Sequence, residues 1–103
     1  MHKKLLEEMR ERVEHLERRP LMYVYSDTYE SLSALICGYF LGLDTTLKMD
    51  LNKQFADWIL VKATRPSQTW AECILHFLAD GDEVAARRIL FAELKVFLED
   101  LTK

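Results

Sequence analysis

Residues 81–101 read GDEVAARRILFAELKVFLEDL, and the rest of the chain has to pack around this run. Ile89, Leu90, Phe91, Leu94, Phe97 and Leu98 recur at steps of one, three and four. That pattern lays a broad apolar arc along a helix from Glu83 to about Leu101. Gly81 suits the left-handed position that stops a preceding helix, and Asp82 is a residue type that caps the next one. The arc is the widest in the chain, so this helix is expected at the centre of the fold.

Working back towards the N-terminus, Thr69 and Glu72 form a capping-box pair. They open a shorter helix with Trp70, Cys73, Ile74, Phe77 and Leu78 inward. Before it, a helix is expected from Asn52 to Arg65, with Phe55, Trp58, Ile59 and Lys62 on or beside one stripe, broken by Pro66 and Ser67. Asp44 to Leu51 has no clear period and reads as the main loop. Asp27 with Glu30 looks like a second capping box, starting a helix whose Leu32, Leu35, Ile36, Tyr39, Phe40 and Leu43 face inward. Gly38 and Gly42 lie one turn apart on it, a spacing that lets a neighbouring helix approach closely. The first segment, His2 to Arg19, carries Leu6, Met9, Val13 and Leu16 as one narrow stripe. Glu8–Arg12 and Glu14–Arg18 are favourably oriented pairs one turn apart, and Pro20 ends the helix. Leu21 to Tyr25 is apolar and too short for a sheet, so it reads as a buried extended connector plugged by Met22 and Tyr23. The expected architecture is all-α: one domain over 1–103, about five helices around one core, with a short extended connector after the first.

Composition agrees. A chain of 103 residues has room for one core, half its residues are apolar, and it has three glycines and two prolines, few for a loop-rich β fold. Fourteen basic against seventeen acidic side chains give a net charge of -3, which disfavours nucleic-acid binding. The acidic excess lies in the second half, where a basic partner would be favoured. No stretch approaches the ~20 apolar residues that span a bilayer, and the charged start does not read as a signal peptide. A cytoplasmic protein is expected, with Cys37 and Cys73 reduced and packed as small hydrophobes.

The residues that could carry chemistry are scattered. His2 is terminal, His15 lies on the charged face of the first helix, and His76 sits in an amphipathic segment. Cys73 and His76 have metal-ligand spacing but no second pair to complete a site. Neither cysteine has neighbours that would lower its pKa, and no glycine-rich phosphate cradle exists. The expectation is no enzyme, no cofactor and no metal, with Trp58 and Trp70 used in packing.

The segment Arg18-Arg19-Pro20-Leu21-Met22-Tyr23-Val24 is locally similar to a stretch near the start of type II topoisomerase ATPase domains. The asparagine and glycine boxes that hold nucleotide there are missing here. A broader resemblance takes in Arg19-Pro20-x-Met22-Tyr23, Leu32 to Tyr39, Phe55-x-x-Trp58, Thr69-Trp70 and the closing Phe/Leu-rich helix. This order resembles a family of small bacterial helical proteins, many of which read R-P-G-M-Y-L-G at the first motif; Leu21 and Tyr25 replace its glycines. The resemblance implies association with polymorphic toxins and a role as an immunity protein that occludes a cognate toxin. Small size and acidic bias fit a protein partner that is a basic toxin domain, for instance a nuclease. Asp44, Asp50, Asp80, Asp82 and Glu83 are the candidate contacts, with no nucleic-acid or membrane partner. The alternative is a homo-oligomeric structural or regulatory module, a possible homodimer, joined through the stripe of the first helix.

Overall fold

The computed structural model describes residues 3–63 and 69–103. His2, Arg65, Pro66 and Ser67 lie outside the described residues. Five helices follow in order: α1 (Lys3–Arg18), α2 (Tyr29–Leu47), α3 (Leu51–Ala63), α4 (Trp70–Cys73) and α5 (Glu83–Leu101). A single 3-10 turn, Pro20–Met22, follows α1, and a wide π turn, Ile74–Leu78, extends α4. No strand occurs among the described residues. The Cα radius of gyration, 13.0 Å, is that of one folded body of about 100 residues.

Helix α5 is central, packing against α1, α2, α3 and the π turn. Its Leu90, Phe91, Leu94, Phe97 and Leu98 are buried, as the arc predicts, and Ile89 is half-buried. Ion pairs fix the directions of the neighbours. Arg10 meets Glu99 at 3.7 Å and Glu17 meets Lys95 at 2.7 Å, so α1 runs antiparallel to α5. Arg87 reaches Asp27 at 3.3 Å while Phe40 lies edge-on to Phe97, so α2 runs parallel to it. At the centre Phe55 meets Phe40, Phe97 and Trp70 at ring distances of 6.0, 5.0 and 5.0 Å. Such offset aromatic contacts add to area burial.

The narrow stripe of α1 is wholly used inside the molecule: Leu6, Met9, Val13 and Leu16 are all buried. That removes the seam on which the homo-oligomeric alternative relied. On the outer face Arg10, not Arg12, makes the intrahelical pair, with Glu14 at 3.7 Å.

Helix ends show where spacing succeeds and where it misleads. Asp82 accepts from the Val84 and Ala85 N–H groups, and Thr69 Oγ1 accepts from Glu72 N, both as expected. Gly81 has φ 82° and Asp80 φ 52°, a left-handed pair that turns the chain sharply into α5. At α2 the cap is Thr28, whose Oγ1 accepts from Ser31 N at 3.2 Å. Asp27 turns away to Arg87. The expected loop from Asp44 to Leu51 shrinks to Lys48–Asp50, because α2 continues to Leu47 and Lys48 closes it at φ 56°.

Four apolar expectations fail: Tyr39, expected to face inward on α2, is exposed, and the connector, the two glycines and one cysteine also differ. The connector is not extended or buried: Pro20 starts a 3-10 turn in which Tyr23 N–H donates to the Pro20 carbonyl, and Leu21, Met22, Tyr23 and Tyr25 are exposed. No described helix packs on Gly38 or Gly42; a Cβ at either meets nothing within 4 Å. Cys73 is buried but Cys37 is exposed, and both are free thiols.

Candidate partner-binding end

The hydrogen bonds and exposure of the sequence candidates divide them. Asp44 points from the last turns of α2 to the start of α3, where Oδ1 accepts from Leu51 N at 2.6 Å and Oδ2 from Asn52 N at 3.2 Å. Both oxygens are occupied by the fold, and a carboxylate at a helix N-terminus is a stabilising cap. Asp50 is exposed beside it and gives its carbonyl to Gln54 N. Asp80, Asp82 and Glu83 are exposed together at the entry to α5. The five carboxylates therefore form two groups and not one surface. Glu83 shares a shallow depression with Asp27, Thr28 and Tyr29 at the start of α2, whereas Asp44 and Asp50 sit at its far end. The fifteen residue steps of α2 from Tyr29 to Asp44 separate them by roughly 22 Å.

The end of the molecule that holds Asp80, Asp82 and Glu83 also holds what composition alone missed. Leu21 is 67% exposed, Met22 65% and Tyr25 104%, all on the connector that runs from the end of α1 to Asp27. Val84, at the first turn of α5, is 73% exposed. Glu17 and Val84 border one hollow with Arg87, Arg88 and Phe91, which ties the last turn of α1 to this end too. Large apolar side chains held in water, next in the chain to the exposed Arg18 and Arg19, are the residue types that interface cores use. The signal was present in sequence as the apolar run 21–25, but apolarity does not say which side of the chain faces solvent.

Tyr23 ties this segment to α1. Its hydroxyl hydrogen-bonds His15 Nδ1, and its ring stands edge-on to the imidazole, 5.5 Å between centroids. It thus anchors the connector to the polar side of α1 and does not plug the core. Beside it Val13, Leu16, Leu35, Ile36 and Tyr39 line a narrow apolar groove of about 140 Å³.

Among the described residues, no three His, Cys, Asp or Glu side chains converge to hold a metal ion. Every buried side-chain nitrogen or oxygen among the described residues has a hydrogen-bond partner. Burial pushes the Cys73 thiol up, away from the thiolate that reacts. The Tyr29 hydroxyl is likewise held neutral by burial, donating to the Ala71 carbonyl at 2.6 Å. His76 is exposed, and neither Glu72 nor Asp80, four residues to either side, bonds to it. Both tryptophans pack. Trp70 is buried with Nε1 donating to Asn52 Oδ1. Trp58 is half-buried on Phe97, donates to Glu93 and carries Lys62 over its ring at 5.5 Å. No helix among the described residues is long and apolar enough to cross a membrane.

Comparison with known proteins finds no family model, no curated protein and no solved structure that matches this chain.

Proposed function

We propose that this chain is a binding protein of the immunity type, which neutralises a basic toxin domain by covering its working surface. The observation that carries the reading is the connector, where Leu21, Met22 and Tyr25 stand in solvent between two well-packed helices. A fold that can bury Leu6, Met9 and Tyr29 on either side has no internal use for these three. Side chains of this kind supply the anchoring contacts of interfaces, with aromatic residues prominent among them. Asp80, Asp82 and Glu83 at the same end add negative charge, which speeds encounter with a basic surface and aligns it. Asp44 is withdrawn from the candidate contacts, since its two oxygens serve α3.

The test is co-purification of the full chain from its source cells at low salt, followed by assay of the partner free and bound. The expected result is a stoichiometric basic protein whose activity disappears in the complex. Tyr25→Ala should slow nothing in folding but weaken the complex at least tenfold, as anchor truncations do. Charge reversal at Asp80 and Glu83 should chiefly lower the association rate and flatten its salt dependence. A partner that stays active when bound, or one that binds Tyr25→Ala equally well, would count against the proposal.

A further inference from the structure

The connector between α1 and α2 is fastened at two places. On its α1 side the Tyr23 hydroxyl hydrogen-bonds His15 Nδ1. The Tyr23 and Val24 N–H groups both donate to the Pro20 carbonyl, at 2.9 and 3.0 Å, and the Val24 side chain packs against the core. On its α5 side the Arg87 guanidinium donates to the Asp27 carbonyl at 3.0 Å and to its carboxylate at 3.3 Å. Thr28 caps α2 immediately afterwards. Between Val24 and Asp27 stand two residues, Tyr25 and Ser26, and Tyr25 is fully exposed.

We propose that the two fastenings hold the connector as a preformed recognition arch, with Tyr23 and Arg87 as its positioning residues and Tyr25 as the side chain it presents. Three features support this. The arch is short: three Cα steps of about 3.8 Å between fixed ends leave Tyr25 little room to wander. Arg87 grips the backbone as well as the side chain of Asp27, whereas an exposed ion pair alone holds little. The two feet also stand on helices that are joined to each other, since Glu17 of α1 meets Lys95 of α5 at 2.7 Å.

A segment that already has its bound shape loses less conformational freedom on binding, so more of its contact energy appears as affinity. Tyrosine suits the presented position, because a large ring with two side-chain torsions is ordered at low entropic cost. The inference rests on the reading of the connector as the contact surface, but its test needs no partner.

Brief chymotrypsin digestion of the free full chain, with the cut at Tyr25–Ser26 followed by mass spectrometry, provides that test. Cutting requires the arch to leave its native path, and its rate follows the open population when opening is fast. Tyr23→Phe keeps the ring and loses the hydroxyl; Arg87→Met keeps the stem and loses the guanidinium. Each should speed the cut by about two- to tenfold, the net worth of one hydrogen bond, and the double variant by about the product. Arg88→Met, the same loss of charge at the exposed neighbouring position, should leave the rate unchanged. Cutting after Phe91, which is buried and reports unfolding of the whole domain, should not rise in step. A native chain cut at Tyr25 as fast as the double variant would overturn the proposal. So would equal acceleration by Arg88→Met, or acceleration at Phe91 that matches that at Tyr25. A failed digestion overturns the arch even where a toxin is captured; failure to capture a toxin removes the binding reading and leaves the digestion result standing.

Discussion

Helix α1 carries ten charged side chains among its sixteen residues, whereas α2, immediately after it, carries two among nineteen. Both bury a stripe against α5, yet they meet water differently. In α1 the four buried positions account for nearly all its large apolar residues, and the remaining turns are Lys, Glu and Arg. In α2 the buried set is Tyr29, Leu32, Ser33, Ile36 and Phe40, and the solvent side repeats the same apolar and small residue types. Neither charge of α2 lies within the middle stretch: Glu30 is in the first turn and Asp44 caps α3. A helix apolar on all sides is ordinarily enclosed. The contrast is that α1 meets water with charged side chains and α2 with apolar and small ones.

That contrast can be tested by substitution. Phe40→Ala, on the inner side of α2, removes a ring in contact with Phe55 and Phe97 and should cost about 3–5 kcal/mol. Met9→Ala on α1 should cost about 2–5 kcal/mol, while Leu41→Ala beside Phe40 should stay within about 0.5 kcal/mol in dilute solution. Denaturant titration of the three variants would erase the distinction if Leu41→Ala matched either of the others. Asp44→Ala, which strips the α3 N-terminus of its acceptor, should lower stability by about 0.5–2 kcal/mol. Asp50→Ala next to it should do little, and equal losses would mean that the carboxylate acts only through bulk charge. The smallest effect has the opposite sign. Gly38→Ala has room for its methyl group and should stabilise the monomer by about 0.5–1 kcal/mol. A destabilised Gly38→Ala in thermal melts would mean that something already covers the open face.

The elements were readable because helix periods, caps and stops are local. Asp82, Gly81 and Thr69 act within a few residues of themselves, and each does what its spacing says. The α1 stripe was readable because its outward side is fully charged, leaving one orientation. For the connector the same method had nothing to choose between, since Leu21 to Tyr25 has no polar side to mark the solvent. Gly38 and Gly42 were ambiguous for the same reason. Thr28 displaced Asp27 as the α2 cap through a contact 60 residues distant in sequence, Asp27 with Arg87. Asp44 served α3 across a turn whose length depends on where Lys48 closes α2. Of the candidate contacts, the group at the entry to α5 was found from sequence, but its apolar neighbours were hidden by their resemblance to core.

The antiparallel pairing of α1 with α5 has a consequence for how the chain is made. Glu17 and Lys95 are 78 residues apart, and a ribosome adding about 5–20 residues per second takes roughly 4–16 s to cross that interval. Throughout it, Leu6, Met9, Val13 and Leu16 have been synthesised without the surface they finally occupy. Closing so long a segment is also slow compared with forming either helix alone. During each round of translation the nascent chain is therefore open to chaperones and proteases for seconds, and a ribosome stalled before α5 leaves a fragment that quality control can remove.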